Sequence, residues 1–97
     1  MKPAPEVLDG AAVVKTADLS RVTPTGATRH YVSGQEATDF AGLAIARYGH
    51  DRGTYLFYCD ADWKVVTDTY HDTLEHAIAQ AEFEFGAVIF VDVPTAG

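Results

Sequence analysis

Residues 54–86, TYLFYCDADWKVVTDTYHDTLEHAIAQAEFEFG, leave little freedom in how this chain folds. Residues 55–59 (YLFYC) are apolar at every position, as an interior strand covered on both faces requires. Asp60, Ala61, Asp62 and Trp63 follow as a tight turn, because a short aspartate side chain accepts from nearby backbone amides. Residues 64–70 (KVVTDTY) are rich in β-branched side chains and return antiparallel to the first strand. A helix is then expected over about 73–85. Asp72-Thr73-Leu74-Glu75 has the form of a capping box, with Asp72 as the cap. Leu74, Ala77, Ile78, Ala81 and Phe85 recur at three- and four-residue spacing as one buried stripe, and Gly86 supplies the left-handed C-terminal stop.

The flanks add strands. Residues 11–16 (AAVVKT) and 28–33 (TRHYVS) read as strands, separated by a connection that turns at Pro24-Thr25-Gly26. Residues 34–39 are polar and read as a loop. Residues 42–48 (GLAIARY) alternate with period two between two glycines, and a five-residue hairpin loop, Gly49 to Gly53, joins them to the strand at 55–59. Residues 88–93 (VIFVDV) close the sheet, stopped by Pro94. The expected fold is α+β: an antiparallel sheet of five to six strands with one amphipathic helix on one face. Residues 1–10 read as a flexible lead-in and residues 11–97 as a single domain. At 97 residues the chain is large enough for one core. One helix cannot cover Tyr48, Tyr55, Phe57, Tyr58, Trp63, Phe83 and Phe90 together. Either the sheet curls tightly or a second copy covers an aromatic patch, so a homodimer is expected.

Charge narrows the choice of partner. Residues 1–53 carry six basic and six acidic side chains, whereas residues 54–97 set Lys64 alone against eight acids, the whole of the net −7. A basic stripe able to neutralise phosphates is lacking, which argues against nucleic acid. An acidic half instead suits a basic protein partner, whose encounter it would accelerate. The single cysteine gives no disulfide framework. The N-terminus has neither a signal-peptide pattern nor a membrane span, and the cytoplasm is the expected compartment.

Several groupings invite chemistry. Cys59 with His71 or His76 would make a thiol nucleophile and base, but Cys59 lies within an apolar run that suits a structural residue. Asp68, His71, Asp72, Glu75 and His76 cluster in sequence without matching a zinc-binding spacing. Asp60 and Asp62 open like a calcium loop, yet Lys64 and Val65 stand where a ligand and a glycine belong. Neither a metal nor a cofactor is expected. The runs YLFYCDADW and DTYHDTLEHAIAQAEFEFG resemble a group of small bacterial proteins sharing YLFYCD-x-x-W followed by DT-x-H-x-(S/T)-x-x-x-A-x-x-QAE-x-EF. The resemblance covers about a third of the chain and implies likeness to small immunity or accessory proteins of toxin systems, with no catalytic residues. The expected function is therefore a non-enzymatic protein-binding module. Its binding residues would be Asp60, Asp62, Trp63, Glu75, Glu82 and Phe83. The alternative is a small metal-dependent or cysteine enzyme using Cys59, His71, Glu75 and His76.

Overall fold

A computed structural model describes residues 2–93. Among these residues, eight strands and one helix run in the order β1 (Val7–Leu8), β2 (Ala11–Asp18), β3 (His30–Val32), β4 (Gln35–Ala37), β5 (Gly42–Arg47), β6 (Thr54–Cys59), β7 (Val65–His71), α1 (Leu74–Phe85) and β8 (Val91–Asp92). The antiparallel main sheet has the order β1-β2-β5-β6-β7, and β8 joins β2 on the edge it shares with β1. The α+β class, the antiparallel sheet and the single packed helix are as expected from the sequence. Pro94, expected to stop the last strand, lies outside the described residues, as does Met1 of the lead-in.

Both faces of the sheet are buried, which is why β5 and β6 are apolar at successive positions. On the helix face, Leu43, Ile45, Leu56 and Tyr58 pack with Ala77, Ala81 and Phe85, and Leu74 and Ile78 sit partly buried at the margin. On the opposite face Ala44 and Ala46 leave room for Phe57, Cys59 and Trp63. Register breaks in β2 between Val13 and Lys15, and against β7 between Tyr58 and Cys59, sharpen the twist that folds this second face over itself. Residues 2–10, expected as a flexible lead-in, supply β1 and lie across that face. The Trp63 indole N–H donates to the Lys2 carbonyl at 2.8 Å, and the Tyr48 hydroxyl donates to that of Asp9 at 2.9 Å.

The sheet therefore curls. Phe57, Tyr58 and Trp63 are core, Tyr48, Tyr55 and Phe90 are half-buried, and only Phe83 of the seven aromatics is exposed. The open aromatic face that called for a second copy is absent among the described residues, so that argument for a homodimer loses its basis.

Three local readings change. Thr73, not Asp72, caps α1: its backbone is extended and its hydroxyl accepts from the His76 amide at 3.1 Å. Asp72 and Thr73 are both good cap residues, and the main chain enters the helix one residue later than the Asp72/Glu75 pattern suggests. Residues 34–39 are not all loop. Ser33 and Gly34, both at positive φ, make the two-residue turn that matches strand twist, and β4 pairs with β3 as a separate two-stranded ribbon. The closing strand is shorter than residues 88–93, with only Val91 and Asp92 paired to β2. Replacing the Thr73 hydroxyl orphans one amide at the helix start. Thr73→Ala is expected to cost about 1 kcal/mol in urea unfolding and Asp72→Ala only a few tenths; the reverse order would return the cap to Asp72.

Candidate functional site

Helical spacing puts an acid on the buried stripe of α1. Glu84 lies seven residues after Ala77 and three after Ala81, both fully buried, and is itself only 3% exposed. An unpaired carboxylate there would cost several kcal/mol. Three groups satisfy it, two from other parts of the structure and one from its own helix. His30 Nε2 lies 2.5 Å from Glu84 Oε1, the Tyr58 hydroxyl donates to Oε2, and the Gln80 amide donates to Oε2 at 2.9 Å. An ionised carboxylate only accepts, so Nε2–H is the donor of this pair. Thr25 reinforces the junction: its amide donates to the Glu84 carbonyl at 2.8 Å, and its hydroxyl lies 2.8 and 3.1 Å from the carbonyls of Phe83 and Glu84. These carbonyls belong to the last helical turn, where partners must come from outside the helix.

His30 reaches Glu84 from β3. Its ring packs at 4.2 Å from that of Tyr58 and edge-on at 5.6 Å from that of Phe40, while the rings of Phe40 and Tyr58 are 5.3 Å apart. Burial first, and the Glu84 carboxylate second, push the Tyr58 phenol far above its usual range, so it remains a donor. Tyr58 also lies 3.5 Å from Thr69 Oγ1, which is 2.7 Å from His71 Nε2. A polar chain thus crosses the helix-side core from the β3–β4 ribbon to the end of β7. His71 is held below its usual pKa by burial and then by His76. A cleft of about 390 Å³ opens beside His30 and Glu84, floored by Leu19, Val22, Phe40 and Phe85 and rimmed by Arg29, Glu36 and Asp39.

The residues singled out from the sequence do not converge. Asp60 is occupied within its turn, accepting from the amides of Asp62 at 2.8 Å and Lys64 at 3.0 Å. Asp62 is exposed and 3.0 Å from Lys2 Nζ. Trp63 is a core residue at positive φ. Glu75, Glu82 and Phe83 share the outer side of α1, Phe83 being 58% exposed. The set assigned to the alternative enzyme is also dispersed. Cys59 pairs with Val65 at one end of β7, whereas His71 pairs with Thr54 at the other. Burial, then Asp60 and Asp9, push the Cys59 thiol up to about 12, so it is not ionised at neutral pH. Among the described residues, no three of His, Cys, Asp and Glu gather in a way that could hold a metal ion, and no helix is long and apolar enough to cross a membrane.

Sequence reasoning missed His30, Tyr58, Gln80 and Glu84. The available signal was Glu84 itself, an acid on a stripe otherwise made of alanine and phenylalanine. Its partners were not legible, since residues 30 and 84 meet only through the tertiary fold. Comparison with protein families, curated proteins and solved structures finds no match.

Two measurements check this geometry. Tyr58→Phe keeps the ring and removes one donor from a buried carboxylate, so it should cost about 1–3 kcal/mol in urea unfolding; unchanged stability would mean that Oε2 is satisfied otherwise. Cys59 should react with iodoacetamide at pH 8 far more slowly in the native than in the unfolded protein, and equal rates would put the thiol at the surface.

Proposed function

We propose that this protein is a non-enzymatic protein-binding module that meets a basic partner through the outer face of α1. The observation that carries the reading is a local excess of acid: residues 72–85 hold Asp72, Glu75, Glu82 and Glu84 and no lysine or arginine. Lys2 pairs with Asp62, Lys15 with Asp92 and Arg29 with Glu36. Asp72, Glu75 and Glu82 on and beside α1 are exposed, with no cationic partner among the described residues. Unpaired charges of one sign raise the local concentration of an oppositely charged partner and speed docking. Phe83, beside Glu82, adds an exposed ring able to bury apolar area at the centre of such a contact. The turn at Asp60 and Asp62 contributes less, because one acid is held by amides and the other by Lys2.

A cytoplasmic immunity-type or accessory role accords with the resemblance carried by residues 55–86. It is the charged face that supports this role. The cysteine-enzyme alternative has least in its favour, given a protonated thiol and a distant imidazole.

Affinity capture from the native host supplies the partner for the test. Association should slow steeply between about 0.01 M and about 0.15 M salt, as the screening length shrinks from roughly 30 Å to about 8 Å. Glu75→Lys with Glu82→Lys should lower the low-salt association rate by about tenfold or more, and Phe83→Ala should mainly speed dissociation. Failure to retain any protein, or a rate indifferent to salt and to the double reversal, would overturn the reading.

A further inference from the structure

The cleft beside His30 has the chemistry of a small-molecule site, separate from the outer face of α1. Its volume of about 390 Å³ lies within the range of about 300–1,000 Å³ typical of such sites. Its floor is apolar, with Leu19, Val22, Phe40 and Phe85. Its polar depth is a single pair of side chains. Glu84 accepts from His30 Nε2–H, and in the neutral imidazole Nδ1 then carries a lone pair. Nδ1 has no hydrogen-bond partner among the described residues, and none of their buried side-chain nitrogens or oxygens lacks one. Nδ1 is therefore not sealed in the core, and His30 is among the residues that line the cleft.

Charge selects the ligand. Glu84 is compensated by an imidazole, a phenol and an amide rather than by Lys or Arg. At the rim, Arg29 is 3.2 Å from Glu36, which leaves Asp39 as the remaining full charge there. The cleft thus presents an acceptor in front of a buried carboxylate, with a second carboxylate at its mouth. A cation that donates hydrogen bonds fits this field, and an anion is repelled by it. We propose that the cleft binds a small primary amine carried on an aromatic or aliphatic body, its ammonium donating to His30 Nδ1 and its body lying on Phe40 and Phe85.

Titration of the intact protein with phenethylamine, followed by amide chemical shifts, tests the assignment. 3-Phenylpropanoate and 2-phenylethanol, of similar size, serve as the anionic and neutral comparators. Saturable shifts at His30, Phe40 and Phe85 are expected with the amine at millimolar concentration or below, with at least tenfold weaker binding of the carboxylate. The alcohol should fall between them. His30→Phe should abolish the amine preference. Asp39→Asn, an exposed rim change that leaves the buried pair untouched, should weaken the amine by about threefold and the alcohol not at all, which keeps the test decisive should His30→Phe fail to fold. No saturable shift, shifts confined to the outer face of α1, or equal binding of amine and carboxylate would overturn the proposal.

Discussion

The buried carboxylate of Glu84 is the point at which the separately formed parts of this molecule meet. Through His30 it holds the β3–β4 ribbon, through Tyr58 the interior strand β6, and through Gln80 its own helix. Each partner is worth little alone, because every hydrogen bond within the protein replaces one to water. Their joint effect is larger, since removing one leaves a charge or its partner unsatisfied in a dry environment. The ribbon shares no strand pairing with the main sheet among the described residues. Its position is set by this contact, by the packing of Phe40 and by the Thr25 bonds at the helix end.

Replacing a buried ionic cluster with well-packed apolar groups is often neutral or stabilising. Simple stability is therefore a weak reason for an acid at position 84. Register is a stronger one. An apolar residue there would accept many placements of a three-residue strand, whereas a carboxylate with three donors accepts one. The same restriction pre-forms the wall of the cleft, because His30 is oriented before anything else enters.

The sequence displayed the main sheet and the helix clearly because their signals are local. Alternation in residues 42–48, the unbroken apolar run at 55–59 and the stripe from Leu74 to Phe85 each need only neighbours in the chain. The sequence left the curl as one of two ways to cover the aromatics, because the choice depends on Ala44 and Ala46 lying across from Phe57 and Trp63, a matter of volume between strands. The β3–β4 ribbon was hidden for a different reason. Residues 35–37 are too few and too polar to show a period, and Ser33-Gly34 is a weaker hairpin signal than Asn-Gly. For the site, the exposed acids of α1 were legible as the complement of its apolar stripe. The pair of His30 and Glu84 was not, since nothing in an alternating TRHYVS marks its histidine as inward.

Glu82, Phe83 and Glu84 are consecutive, and their fates differ because each helical residue is rotated by about 100° from the last. Glu82 remains in water and carries charge to the surface, Phe83 is left exposed, and Glu84 turns inward to its three donors. One turn of helix thus holds an outward charge, an apolar anchor and a buried carboxylate. The backbone that carries them is held from outside as well, since Thr25 bonds the carbonyls of both Phe83 and Glu84. The ring on the outer face accordingly rests on a turn whose inner side is bonded to the sheet and to the ribbon. A side chain presented from so constrained a turn loses less freedom on docking than one on a frayed helix end. The buried carboxylate and the exposed face of α1 are two consequences of how this one turn is anchored.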